Sequence, residues 1–478
     1  MTVGAKFHAS RWETALVLGA CLCSVTVAVF GPDATLACAA GLACAAGVCV
    51  VAAAPHLLPL LLLATAALDG IELRLPALGA VPVARVVGIV CVAGWGLALA
   101  GRRATLPPWR ASAGGLLFLL FASASTLWAS DPLLSRGRFE RLAMLGVAYA
   151  LVISVTCRRS SLILVAQRVW AVGAVSAALS VALAAARVGG LNGSLTPDGR
   201  LTGAIGDPNE FALYQVACLP FAVTAYLDAD RRRPALLGAA AVLLCVGGAL
   251  ATGSRGGLLA LVGVLVMLWA LRHKEAGSRG RRAALLVVVC FVVLGGSTAL
   301  RYARTLNASS GLRSALEQEG RPSLWLIAVR MLSEHPVVGV GLGNALSPGL
   351  FLAAQEAAKP PRVFASPQVI HNAYLEVGAE LGGVGLAFFS CILPGSIIRL
   401  LRRSRQLERR GDEALSRSLT NVAISLAGIS VALVFLSEEY SKVLWLFCGL
   451  ASASAFCRPT LRDASDHRRA GSQHRRRE

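Results

Sequence analysis

The feature that most restricts this chain is a recurring one. Apolar stretches of about 17–25 residues, each long enough for a bilayer core roughly 30 Å thick, run almost from end to end with short polar connections between them. Lipid offers no partner to backbone N–H and C=O groups, so such stretches fold as helices. Only 15% of residues are charged against 56% hydrophobic, where a soluble domain carries about a quarter charged. The fold class expected is all-α: a polytopic integral membrane protein of 12–14 transmembrane helices. The spans fall near 15–30, 35–52, 56–68, 82–100, 112–129, 141–156, 161–186, 209–227, 235–251, 256–271, 283–300, 372–398, 418–436 and 442–457.

The net charge of +20 is no sign of nucleic-acid binding, because no recognition module accompanies it. The arginines sort by connection instead. Arg102, Arg103 and Arg110 mark one; Arg158 and Arg159 the next; Arg231 to Arg233 a third. Arg272, Lys274, Arg279, Arg281 and Arg282 mark a fourth, and Arg399 to Arg410 a fifth. The tail, with Arg468, Arg469 and Arg475 to Arg477, completes the series and suits anionic inner-leaflet lipid. Every second connection is arginine-rich, which places both termini in the cytoplasm and connections 130–140, 187–208, 252–255, 301–370 and 437–441 outside. Most cysteines, such as Cys21, Cys23, Cys245, Cys290 and Cys448, lie in or beside apolar segments and read as small buried residues, not as a disulfide framework.

The external loop 301–370 is long enough for helices of its own. One is expected from Pro322 through Leu324, Trp325, Ala328, Met331 and Leu332, with proline at its start. Pro336 ends it, and Gly339, Gly341 and Gly343 are expected to form a flexible turn.

Arginines outside run against the charge rule and need a reason. Arg255 lies in Thr252-Gly253-Ser254-Arg255-Gly256-Gly257, a tight turn between two apolar helices. Its guanidinium offers a fork of donors to phosphate or carboxylate; a snorkelling helix-end arginine fits the turn equally. Arg321 and Arg330 flank Trp325, as a cationic site or as a solvated helix face. His371-Asn372 stands where the loop meets the next span, an imidazole suited to general-base work or to structural hydrogen bonding. Glu376 and Glu380 follow one and two turns into that span, where a carboxylate needs a cavity or a partner. Asp228-Ala229-Asp230 has metal-site spacing but sits against Arg231 to Arg233, and Gly339-Val340-Gly341-Leu342-Gly343 lacks the strand and helix of a nucleotide loop.

Four ordered stretches resemble the O-antigen ligase and polymerase-like membrane glycosyltransferases, over roughly 200–390. They are Gly203 to Ala212, with Pro208-Asn209 matching a Pro-Asn helix start; Ser254-Arg255-Gly256; Arg321-Pro322-Ser323-Leu324-Trp325 leading to His335-Pro336 and the glycines as far as Asn344; and His371-Asn372 with Gly382 and Gly385. Trp128 to Pro132 adds weaker support.

The resemblance implies a glycosyltransferase-C-like arrangement in a bacterial inner membrane. It implies a periplasmic transfer of glycan from undecaprenyl diphosphate, without metal or other cofactor, to lipid A–core (ligase) or to a growing lipid-linked glycan (polymerase). His371, Arg255 and Arg321 would be catalytic: the arginines clamp the diphosphate, and the histidine orients or deprotonates the acceptor hydroxyl. Arg330, Asn372, Asn209 and Glu376 would bind substrate. The polymerase reading draws on the spacing between Arg330 and Gly341. A transporter or flippase is the reading from another class, though no internal repeat accompanies it. The expected organisation is 1–200 as N-terminal helices, 201–398 as the ligase-like region, 399–457 as C-terminal helices and 458–478 as a basic tail.

Overall fold

The structure, a computed structural model, describes residues 44–75, 79–186, 195–196, 199–272, 320–437 and 439–457. The spans expected at 15–30 and 283–300, most of that at 35–52, residues 301–319 of the external loop, the tail, and Cys21, Cys23 and Cys290 lie outside these.

The helices are α1 (Cys44–Ala53), α2 (Leu58–Ala66), α3 (Val83–Ala100), α4 (Trp109–Ala124), α5 (Pro132–Thr156), α6 (Arg159–Ala166), α7 (Val169–Ala186), α8 (Pro208–Leu227), α9 (Arg232–Ala251) and α10 (Arg255–Arg272). After them come α11 (Arg321–Glu334), α12 (Pro348–Ala358), α13 (Ala373–Arg409), α14 (Glu413–Ala432) and α15 (Lys442–Ser454). A short hairpin, β1 (Glu72–Leu75) and β2 (Gly79–Pro82), joins α2 to α3. Eight helical stretches among the described residues are long and apolar enough to cross a bilayer, with α6 and α7 counted as one, and nine when the α1–α2 pair, bent by 106°, counts as another. The chain is an all-α polytopic membrane protein.

Several boundaries differ from the sequence expectation, each for a local reason. Helix α5 starts at Pro132 and takes in most of the connection placed at 130–140, because Asp131 caps it by accepting from the N–H groups of Leu133 and Leu134. The span at 161–186 is the two helices α6 and α7. Helix α13 continues to Arg409, so the arginine-rich connection after it is mostly helical. Asp228 finds its cation in Arg417 of α14 at 2.7 Å, not in the adjacent Arg231 to Arg233.

Helices α8, α9, α10, α13, α14 and α15 pack around one apolar core, with α8 almost wholly buried. Hydrogen bonds tie described connections together at two ends of the bundle. At one end Gly70 donates to the Ala204 carbonyl at 2.8 Å, Asp131 N–H to Asn344 at 2.6 Å, Leu201 to Ala251 at 3.0 Å and Ala373 to Leu433 at 2.9 Å. At the other, Arg159 forks onto Asp412 at 2.9 and 2.6 Å, and Arg403 donates to the Ala455 carbonyl at 2.8 Å. The region 320–372 caps the first end. It has its own small core, in which Leu324, Ile327, Met331, Phe351 and Ile370 close on Ala379 of α13.

Candidate active site

The site is built on a kink. Gly382 has φ 64° and ψ −167° inside α13, a combination essentially confined to glycine. The break frees backbone groups that apolar surroundings would leave unsatisfied, and the glycine-rich loop takes them up. Val340 and Gly341 donate to the carbonyls of Ala379 and Glu380 at 3.0 and 2.8 Å, while Gly383 and Val384 donate to Pro336 and Val337 at 2.8 and 3.2 Å. The turn expected to be flexible is therefore pinned. Its glycines take φ of 69°, 98° and 77° at 339, 341 and 343, and a Cβ on Gly341 would lie 2.7 Å from the Ala129 backbone.

This scaffold carries His371. Its own backbone is left-handed, φ 55°, which a side-chain-bearing residue adopts only where its neighbours hold it there. They do so on its C-terminal side. Asn372 caps α13, its Oδ1 accepting from Tyr374 and Leu375 at 3.1 Å each, and the Ala373 N–H is shared between the carbonyls of Leu433 and Leu436 at 2.9 and 2.8 Å. The Glu376 carboxylate accepts from the Ser437 hydroxyl. Glu376, expected to contact substrate, is fully buried and bonded to Ser437. Asn372, too, spends its side-chain oxygen on the cap.

Burial, then the charge of Arg321, hold the His371 imidazole below its ordinary range, with Asp207 opposing them. Arg321, the first residue of α11, and Asp207, the cap of α8, thus share the histidine's electrostatic surroundings. Arg255 reaches this region through Phe435: a Cβ on Gly256 would touch the Phe435 side chain at 2.8 Å, and the Phe435 ring lies 6.3 Å from that of Trp325, one turn beyond Arg321. Ser254 caps α10 by accepting from Gly257 at 3.1 Å, which leaves the Arg255 side chain exposed at the helix start. The indole N–H of Trp325 is buried and has no hydrogen-bond partner among the described residues.

Arg330 is not brought to this place. Nine positions of helix carry it about 180° around α11 and about 13.5 Å along it from Arg321, and it pairs with Glu334 at 2.7 Å. Asn209 is near the Arg255 turn through a residue the sequence reading passed over: Arg200 donates to Asn209 Oδ1 at 3.3 Å and to the Thr252 carbonyl at 2.8 Å. Asp207 was missed as well, although Asp-Pro ahead of an apolar run is a helix-start signal.

A third missed residue is Arg138. It stacks over Tyr440 at 5.1 Å and lies within electrostatic reach of Glu376, Glu380 and Glu439. Glu380 accepts from Tyr440 at 2.9 Å. Burial, reinforced by the charges of Glu376 and Glu380, holds the Glu439 carboxyl well above the usual carboxylate range. This buried cluster ties α5, α13 and the 433–441 connection together beneath His371.

A prediction follows from the histidine's surroundings. Because Arg321 holds its pKa down, Arg321→Gln raises it, so the neutral imidazole is lost at higher pH. The acid limb of a transfer-rate profile should therefore move up in pH in the variant, beyond any uniform loss of rate. A uniform loss with the limb unmoved would separate Arg321 from His371.

The class defined so far is a helical membrane protein with a cationic, histidine-bearing site at one end of its bundle. Residues 240–390 match the family described as O-antigen ligase, a match over about a third of the chain that supports a likeness to the O-antigen ligase and polymerase-like membrane proteins. The match contains Arg255, Arg321, Arg330, His371, Asn372 and Glu376; Asn209 lies before it. No curated protein matches the chain.

Proposed function

We propose that this protein is an O-antigen ligase-type glycosyltransferase, moving a glycan from undecaprenyl diphosphate to lipid A–core on the periplasmic side of a bacterial inner membrane. The observation that carries the reading is a single one. His371, held in a left-handed backbone and lowered in pKa by burial and by the charge of Arg321 at the start of α11, sits at the end of the bundle that also presents Arg255.

The chemistry follows from these groups. The acceptor hydroxyl attacks the anomeric carbon as its bond to the diphosphate oxygen breaks, and His371 takes the hydroxyl proton. Arg321 and Arg255 offset the charge developing on the departing diphosphate, and the unspent Trp325 N–H supplies a further donor. A leaving group that is already an anion needs no proton from an acid. The apolar helices keep the polyprenyl chain in lipid. The reaction is read as metal-independent, since arginines stand where the diphosphate's charge must be met.

The test is transfer by purified protein, with EDTA present, from undecaprenyl-diphosphate glycan to lipid A–core. Ligated product is expected. Chain growth on the carrier without ligation would make the protein a polymerase of the same family. Neither product, together with substrate flux through liposomes, would favour a transporter.

A further inference from the structure

At the opposite end of the bundle, the end that the charge rule assigns to the cytoplasm, a cavity of about 380 Å³ opens between α1, α3, α5 and α6. Arg102, Arg103, Arg158 and His56 line it with Thr105 and Ser161, and none of the described residues lining it is acidic. These basic side chains come from three separate connections, the three arginines from two of them. Arg102 and Arg103 are set side by side by the turn that closes α3, in which Arg102 is left-handed (φ 57°) and the N–H groups of Arg103 and Ala104 return to the Ala98 carbonyl at 2.8 and 3.1 Å. Arg158 precedes α6, and His56 lies in the 3-10 turn at the α1–α2 bend.

We propose that this cavity binds the phosphate of an anionic phospholipid of the inner leaflet. Converging cations without a carboxylate repel one another unless an anion lies between them, and basic pockets between helices at the cytoplasmic face meet anionic headgroups. The surroundings set the ligand at headgroup depth. Trp109, which starts α4 just after the Arg102 connection, is 71% exposed and carries the Arg110 guanidinium 5.3 Å above its ring, as aromatic residues do at a membrane–water boundary. Below the cavity the outer face of α3 exposes Val92 and Leu97, an apolar track for acyl chains. A soluble phosphate would use the cations but not the track.

The experiment uses the full chain, delipidated in detergent and titrated with phosphatidylglycerol, phosphatidylcholine or inorganic phosphate, with bound lipid read by native mass spectrometry and stability by thermal melting. Phosphatidylglycerol should bind and raise the melting temperature of the wild type. R102Q/R103Q/R158Q should weaken that binding about a hundredfold, at about fivefold per arginine, while R231Q/R232Q/R233Q at the same end should not. Equal binding by both variants, or equal binding of phosphatidylcholine, overturns the site. A melting shift from inorganic phosphate equal to that from the lipid overturns the lipid as its ligand. Should the first variant fail to fold, the comparison of the three ligands on wild-type protein still decides.

Discussion

His371→Ala should lower glycan transfer by about 10²- to 10⁴-fold, the usual contribution of a positioned general base, in protein that still inserts and elutes as wild type. The expectation of intact folding comes from the surroundings. Among the described residues the histidine's imidazole makes none of the bonds that hold the loop; Asn372 and the Ala373 N–H make them. Alanine in a left-handed backbone has no less strain than histidine, so the loop's stability should change little. The loss should fall on the rate at saturating acceptor and less on acceptor affinity, because a base acts in the transition state. Full activity in His371→Ala would remove the histidine from the chemistry, and the proposed site with it. An unfolded His371→Ala would instead show that the side chain is structural.

Gly382→Ala carries the largest expected effect on stability. A Cβ there would lie 2.3 Å from the Val337 carbonyl oxygen and 2.5 Å from the Val338 nitrogen, both backbone atoms that cannot swing away. The required φ and ψ cost a side-chain-bearing residue about 1–3 kcal/mol even in open space, and overpacking adds about as much again. The reciprocal contact is equally tight, since a Cβ on Gly339 would lie 2.4 Å from the Glu380 carbonyl. Relief would require the loop to leave the kink, exposing four backbone hydrogen bonds and unpinning His371. The expected result is a loss of roughly 3 kcal/mol or more, seen as collapse of the monodisperse peak at a lower temperature, with activity lost alongside. Gly349→Ala is the control: nothing lies within 4 Å of that Cβ in α12, and helix propensity favours alanine. A Gly382→Ala protein that melts with wild type would mean that the kink is not fixed by this packing.

Much of the fold was legible because lipid imposes one rule on every span. Apolar length gave the helices among the described residues, and the arginine count of each connection gave an expected side for it. Asp131 and Asp207, each followed by proline, marked helix starts more sharply than hydropathy did; the boundary of α5 was missed by following hydropathy alone. The site was legible in part. Arg255, Arg321 and His371 stood out as residues contrary to the charge rule or at a span boundary, and the order of their motifs matched a known family.

What the sequence could not supply was which of these residues meet. Arg330 looked equivalent to Arg321 in the linear chain, and only the helical phase of α11 turned it to the far side. Glu376 and Glu380 read as carboxylates in need of partners, but their partners come from elements far apart in sequence: Arg138 on α5, and Ser437 and Tyr440 before α15. The glycines at 339–343 looked mobile because glycine permits many backbones; docking against the kink at Gly382 selected one. Local rules of length, charge and capping act through near neighbours and are written in order along the chain. The pairing of buried polar groups depends on which elements approach in space, and that was decided by the packing of α5, α13 and the 433–441 connection.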